Sequence, residues 1–312
     1  MIKARAIELR QLRHFVEIVR CSSFGRAAEK LHLTQPALSK SIRNLEQTLE
    51  VRLMERHGHG IEPTPYGEVL FEYASFMLSE LERAVEEIDH MRGRGEGLIR
   101  VGAGTSLLQY FLPETVKRFV ADGEAETVQM RQGLRDALLP LLRRGEIDLV
   151  VGSVNPEACP DDLIQEVILE DRLAIVAAAN HKLVGKPDVR LEDLVDYQWV
   201  IPDTSEPEGD RLVRAFKKAG LPKPQTVVRT GSSVFMASLL RDSEYLSYLP
   251  RALISEESRY GHLRALNAPD IWESVHVGVT FRKKSVMLPA TRRFISTLKR
   301  VGASLAEASE PA

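Results

Sequence analysis

FGRAAEKLHLTQPALSKSIRNLE, residues 24–46, is a pair of short amphipathic segments with a polar break between them. Phe24, Ala27, Ala28 and Leu31 lie at spacings of three and four, which puts them on one face of a helix that Ser22 or Ser23 can cap. The pattern breaks at His32-Leu33, and Thr34 can then cap a second helix with Pro36 in its first turn, where a missing N–H costs nothing. Leu38, Ile42, Leu45 and Leu49 give that helix a buried stripe, and Gln35, Ser39, Lys40 and Arg43 occupy its other face. Two short helices joined by a tight turn form a helix-turn-helix, whose second helix enters a major groove about 12 Å wide. Gln can pair with adenine, Arg with guanine, and Ser or Lys with phosphate; the same residues also suit an ordinary solvated helix face.

Upstream, Leu9, Leu12, Phe15, Val16 and Val19 supply the apolar stripe of a preceding helix. Downstream, HGHGIEPTPYG after Arg56 is too rich in Gly and Pro for a helix and suits a tight two-stranded loop. Leu70, Ala74, Met77, Leu81, Ala84, Ile88 and Met91 then follow at alternating spacings of four and three, the repeat of a coiled-coil seam that predicts pairing with a second copy. GRGEG at 93–97 ends that helix as a hinge. Beyond it strands and helices alternate: LIRVGA (98–103), ETVQMR, IDLVVG (147–152), LAIVAA (173–178), WVIP (199–202), TVVRT (226–230), YLSYLP (245–250) and SVHVGVTF (274–281) read as strands. Such alternation predicts mainly parallel α/β sheets with ligands at strand C-terminal ends.

Charge divides the same way. Residues 1–66 hold eleven Lys and Arg against seven Asp and Glu; the remainder holds 31 against 37. A basic head on an acidic body suits a polyanion at the head alone, and an excess this modest also suits ordinary solvated surface. No apolar run approaches the ~18 residues of a membrane span, and the N-terminal MIKARAIELRQLRHF lacks the apolar block of a secretory signal. With only Cys21 and Cys159, a disulfide framework is excluded and a cytoplasmic location is expected. The eight histidines fall into no HExxH spacing, VGAGTS lacks the third glycine of a dinucleotide fingerprint, and no Walker lysine or GxSxG elbow occurs. No catalytic residue, metal site or cofactor is therefore expected. Cys159 could be a redox sensor or, with no second Cys near it, an inert loop thiol. Thr105 and Ser106 follow a strand and open a helix, which suits an anion site or simple capping of that helix.

Residues 9–68, LRQLRHFVEIVRCSSFGRAAEKLHLTQPALSKSIRNLEQTLEVRLMERHGHGIEPTPYGE, resemble the LysR-type transcriptional regulators. The Ala27-Ala28 pair, the Leu31…Thr34-Gln35-Pro36 turn, Leu45-Glu46, Leu53…Arg56 and Thr64-Pro65…Gly67 carry the likeness. It continues more weakly through RVGAGTSLLQYFLPETVKRF, LRRGEIDLVVG, HKL, WVIP and FKKAGLP.

The resemblance implies an N-terminal winged helix-turn-helix (1–66), a linker helix and hinge that dimerise (67–94), and a C-terminal periplasmic-binding-protein-like effector domain (95–312). That domain would comprise two α/β subdomains, one of about 95–169 with 270–305 and one of about 170–269. It implies double-stranded DNA, a small-molecule effector, a homodimer through the linker helix or a homotetramer, and RNA polymerase as partners, with no membrane. The implied DNA contacts are Thr34, Gln35, Pro36, Ser39, Lys40 and Arg43, with Arg56 and Thr64 flanking the wing; His57 and His59 are given no role. The implied effector contacts are Thr105, Ser106, Gln132, Ser153, Pro202, Thr204, Ser232 and Ser233, with a small organic anion as ligand. Ser243-Glu244-Tyr245 stands where many members carry a G-x-G turn, and Tyr245 adds a large ring there, so the family's pocket shape does not carry over simply. The competing reading is a cytoplasmic solute-binding module or enzyme whose helical head serves only assembly.

Overall fold

The computed structural model describes residues 7–57, 60–93, 97–123, 126–203, 207–251, 253–254, 262–268 and 273–309. They fall into two compact units: Met1–Gly95 with the Arg143–Glu146 turn, and Glu96–Leu142 with Ile147–Ala312.

The first unit opens with three helices, α1 (Leu9–Cys21), α2 (Phe24–Lys30) and α3 (Gln35–Leu49). Their apolar stripes converge on one core in which Phe15, Ile18, Ala27, Leu38 and Leu45 are fully enclosed. Each boundary is set by a nearby residue. Ser23 Oγ accepts from the Arg26 N–H at 3.4 Å and Thr34 Oγ1 from the Ala37 N–H at 3.4 Å, each satisfying a donor with no partner inside its helix. Ser22, His32 and Glu50 take left-handed backbone conformations, which end α1, turn the chain between α2 and α3, and end α3. A hairpin of β1 (Met54–His57) and β2 (Gly60–Pro63) follows, and then the 27-residue helix α4 (Pro65–Met91). A Cβ on Gly67 would lie 2.1 Å from the Leu53 carbonyl, so only glycine lets the first turn of α4 seat against the loop before the hairpin. Among the described residues, no helix is long and apolar enough to cross a membrane.

The second unit carries two lobes on a shared pair of strands. In the first lobe, β3 (Gly97–Ala103) lies between β4 (Glu126–Gln132) and β5 (Leu149–Ser153), parallel to both. These strands are connected through α5 (Leu107–Ala121) and α6 (Arg135–Arg143). The C-terminal helix α9 (Pro289–Ser309) packs with α5 over a core containing Phe111, Phe119, Phe294 and Leu298.

Strands β6 (Leu163–Ala178) and β11 (Glu273–Arg282) are antiparallel neighbours and run through both lobes. The outer half of β6 feeds the first core through Leu169, and its inner half feeds the second through Leu173, Ile175 and Ala177. Their register shifts between Val277 and Gly278. A Cβ on Gly278 would meet the Glu166 carbonyl at 2.3 Å, so this crossing also requires a glycine.

The second lobe adds β7 (Gln198–Pro202), α7 (Pro207–Lys218), β8 (Gln225–Thr230), α8 (Ser233–Leu240), β9 (Ser247–Pro250) and the short β10 (Leu263–Ala265). Strands β7 and β8 form a separate parallel pair, and β9 and β10 flank β6. Trp199 and Phe216 meet edge to face at 5.9 Å in the core of this lobe.

Candidate DNA-reading face and effector cleft

On α3 the apolar stripe of Leu38, Ile42 and Leu45 is buried, and the opposite face carries exposed Gln35, Pro36, Lys40 and Arg43 with half-buried Ser39. Thr34 is exposed but its hydroxyl already caps the helix. Arg43 Nε donates to the Ser39 carbonyl at 3.4 Å, so the guanidinium lies along the helix surface with its terminal nitrogens outward. An open groove of about 680 Å³ separates α3 from the hairpin and is lined by Ser39, Arg43, Arg52, Glu55 and His57 among others. His57 Nε2 lies 3.7 Å and 3.9 Å from the carboxylates of Glu55 and Glu62, which face each other across the hairpin. His59 and the Arg56 side chain lie outside what is described.

Thr64 does not join the DNA-facing set. It is buried, its hydroxyl donates to the Arg52 carbonyl at 2.7 Å and accepts from the Gly67 N–H at 3.1 Å, and it caps α4 from inside the unit. The expected contact is corrected to a structural post. On the core side of α3, His14 Nδ1 lies 2.8 Å from the Ser41 hydroxyl. Burial, helped by the charges of Arg10 and Arg13, lowers the His14 pKa below the ordinary imidazole value.

On α4, Tyr66, Val69, Tyr73, Met77, Leu81, Val85, Ile88 and Met91 form an apolar stripe, each between 43% and 78% exposed. Leu70 and Ala74, expected in the same seam, instead pack into the three-helix core, so the free stripe is rotated at its N-terminal end.

The second unit holds a cleft of about 90 Å³ where the C-terminal ends of β3, β5, β7 and β8 meet. Thr105, Ser106, Ser153, Pro202 and Ser233 line it, with an apolar wall that includes Leu107, Met236, Leu249, Val275 and Val277. Ser106 makes no side-chain hydrogen bond that caps α5. Thr105 Oγ1 donates to the Gly231 carbonyl at 3.0 Å and accepts from Gln132 Nε2 at 3.0 Å, and Gln109 Nε2 donates to Ser233 Oγ at 2.6 Å. These bonds tie the loop after β3 to the loop after β8. The first turns of α5 and α8 both face the cleft, and their N–H groups favour negative charge there.

Two effector contacts expected from the sequence stand back from the cavity wall. Gln132 reaches it only through Thr105, and Ser232 caps α8 by accepting from the Phe235 N–H. Thr204 lies outside the described residues. The Tyr245 ring packs against a satellite core of the second lobe and is not among the residues lining the cleft. Sequence reading missed Tyr110, which lines the cleft and donates to Asp171 Oδ2 at 3.1 Å on the strand shared by the lobes. No local spacing signals this pair, because 61 residues separate them. The Cys159 thiol points at the Pro160 and Leu163 carbonyls of its own loop.

A three-helix head with a hairpin wing, and a two-lobed α/β unit with a cleft at strand ends, together define a DNA-binding regulator with its own ligand-sensing domain. Residues 9–68 match the bacterial regulatory helix-turn-helix proteins of the lysR family, and residues 92–303 match the LysR substrate binding domain. The chain belongs to the LysR family of transcriptional regulators. It is 30% identical over 276 residues to the HTH-type transcriptional regulator PcaQ of Agrobacterium fabrum, covering 88% of this chain and 89% of that protein. It is 29% identical over 238 residues to TdcA of Escherichia coli, covering 76% of this chain and 75% of the relative. Full-length CbnR complexed with its target DNA has the same fold, with a TM-score of 0.68 at 22% identity over 95% of this chain and all of the other.

Proposed function

We propose that this regulator reads a specific duplex with the exposed face of α3 and adjusts that binding when a small organic anion occupies the cleft. The observation that carries the reading is the division of α3, whose apolar stripe is enclosed and whose Gln35, Lys40 and Arg43 are exposed beside a wing. CbnR, a protein of the same fold, has been seen on its target DNA, which supports the assignment.

In this reading residues 1–66 form the head, 67–94 the linker and 95–312 the sensing domain, whose lobes are about 95–169 with 270–305, and 170–269. The α4 stripe pairs two copies, so the half-sites lie about one helical turn or a multiple of it apart. A homotetramer in the cytoplasm that contacts RNA polymerase completes the assignment.

The anion acts by competition. Its oxygens take hydrogen bonds from the Thr105 hydroxyl and the first-turn N–H groups, displacing the Thr105–Gly231 link and resetting the angle between lobes. Such a ligand shifts the heads only as far as it prefers one lobe arrangement over the other.

Fluorescence anisotropy of the full chain on the duplex upstream of its own gene, against a shuffled duplex, tests the DNA part. The upstream duplex is expected to bind more tightly, and Arg43→Ala to remove about 1–3 kcal/mol of that preference. Equal affinity for both duplexes would refute it.

A further inference from the structure

Among the described residues, the cleft that the proposed function assigns to an organic anion has no cation of its own. None of the described residues lining its 90 Å³ is Lys, Arg or His. The chain leaving Pro202 reads Asp-Thr-Ser-Glu-Pro-Glu-Gly-Asp over 203–210, four acids and no base. Hydroxyls and N–H groups alone hold a carboxylate weakly against water, so a charged partner must come from beside the cleft.

A second cavity, of about 40 Å³, adjoins it and shares Gly104, Gly152 and Ser153. A space of that size admits a small polar group. Its wall includes Arg135. A Cβ on Gly104 or Gly152 would meet nothing within 4 Å, so open space remains at the junction of the two cavities.

Arg135 is placed where a cation is unfavourable by itself. It is half-buried at the first position of α6, on the positive end of that helix. Among the described residues it has no ion-pair partner, whereas Arg118, Arg144 and Arg300 of the same chain each reach a carboxylate. Helix α6 is held at its other end by Arg282, which donates to the Leu142 carbonyl at 2.5 Å and the Ile147 carbonyl at 2.9 Å. Arg135 therefore sits on a fixed support beside a void.

The geometry points to Arg135 as the counter-ion of a small organic monoanion, with the charged group where the two cavities join, between Thr105 and Arg135, and a short apolar body in the larger one. The inference rests on the proposal that the cleft takes the effector. It narrows the ligand to a single charge at one end, because the described residues of the larger cavity offer a second carboxylate no cation.

The test is calorimetric titration of the full chain with butyrate, isovalerate and hexanoate, their primary amides, and succinate. At least one monocarboxylate is expected to bind, and its amide and succinate to bind at least about tenfold more weakly. Arg135→Gln should weaken the best monocarboxylate about tenfold or more, Arg135→Lys should restore part of that loss, and Gly152→Val should abolish binding by filling the junction. Unchanged binding by Arg135→Gln, with Gly152→Val still blocking, overturns the role of Arg135 and leaves the cleft standing. Binding that survives Gly152→Val as well removes the cleft itself. Equal binding of acid and amide, or no binding of any monocarboxylate at about 10 mM, also overturns the proposal.

Discussion

The two units organise their functional surfaces in opposite ways. In the first, the caps and exposed side chains of the α3 face come from close sequence neighbours: Ser23 caps α2, Thr34 caps α3, and the exposed side chains repeat within one helix. In the second, the cleft exists only through distant pairings, such as Thr105 with Gly231 at a separation of 126 residues and Gln109 with Ser233 at 124. A surface built from local order can read DNA with its own fold rigid. A cleft built from long-range bonds across two lobes can be reset by whatever replaces those bonds.

The steepest way to break this contrast is at the two close-approach glycines. Gly67→Val drives a side chain into the Leu53 carbonyl and should cost the first unit about 3 kcal/mol or more, while Gly278→Val does the same at the Glu166 carbonyl in the second. Two-domain melting by calorimetry should show each variant shifting one transition; a single shared shift would mean the units do not unfold separately.

Leu81→Glu places a charge in the middle of the exposed α4 stripe. Sedimentation should show dissociation of the dimer at micromolar concentration, with the helical circular dichroism signal retained, whereas an unaltered mass would move pairing elsewhere.

Thr105→Val removes the hydroxyl between Gly231 and Gln132. Effector response should fall about tenfold while ligand-free DNA affinity stays put, and a parallel loss of both would make the hydroxyl structural.

The smallest effect is on pH. Burial lowers the pKa of His14 in the first unit and of His181 in the second, so each folded unit keeps its ring neutral where the unfolded chain would take up a proton. Stability is then complete above the unfolded value of about 6.5 and declines as pH falls towards the folded values. His14→Gln should flatten that decline in the first transition only, and an unchanged acid-side slope would remove His14 as its source.

Local order is also what made the first unit legible. The boundaries of α3 at Gln35 and Leu49 follow from one cap, one proline and a four-residue apolar repeat. The strands at 98–103, 199–202 and 274–281 show as apolar runs and are observed within a residue or two. Hidden from that reading was the outer half of β6, where Glu166 and Glu170 interrupt the apolar run at the crossing between lobes. The three-residue β10 is too short to show a period. The place of Tyr245 was open to that reading, because side-chain size says nothing about which core a loop turns towards. Leu70 and Ala74 fit a seam by spacing, yet the three-helix core claims the start of α4 first. Tyr110 with Asp171, and Arg135 beside the cleft, appear only once separate strands are brought side by side.

Selection of bound duplexes from a random pool, read by sequencing, tests DNA reading by α3 most directly. The full chain should enrich two related half-sites at a fixed spacing. The Gln35→Ala, Arg43→Ala double variant should keep the spacing but lose base preference within each half-site. Enrichment of the same half-sites by that variant would contradict the account.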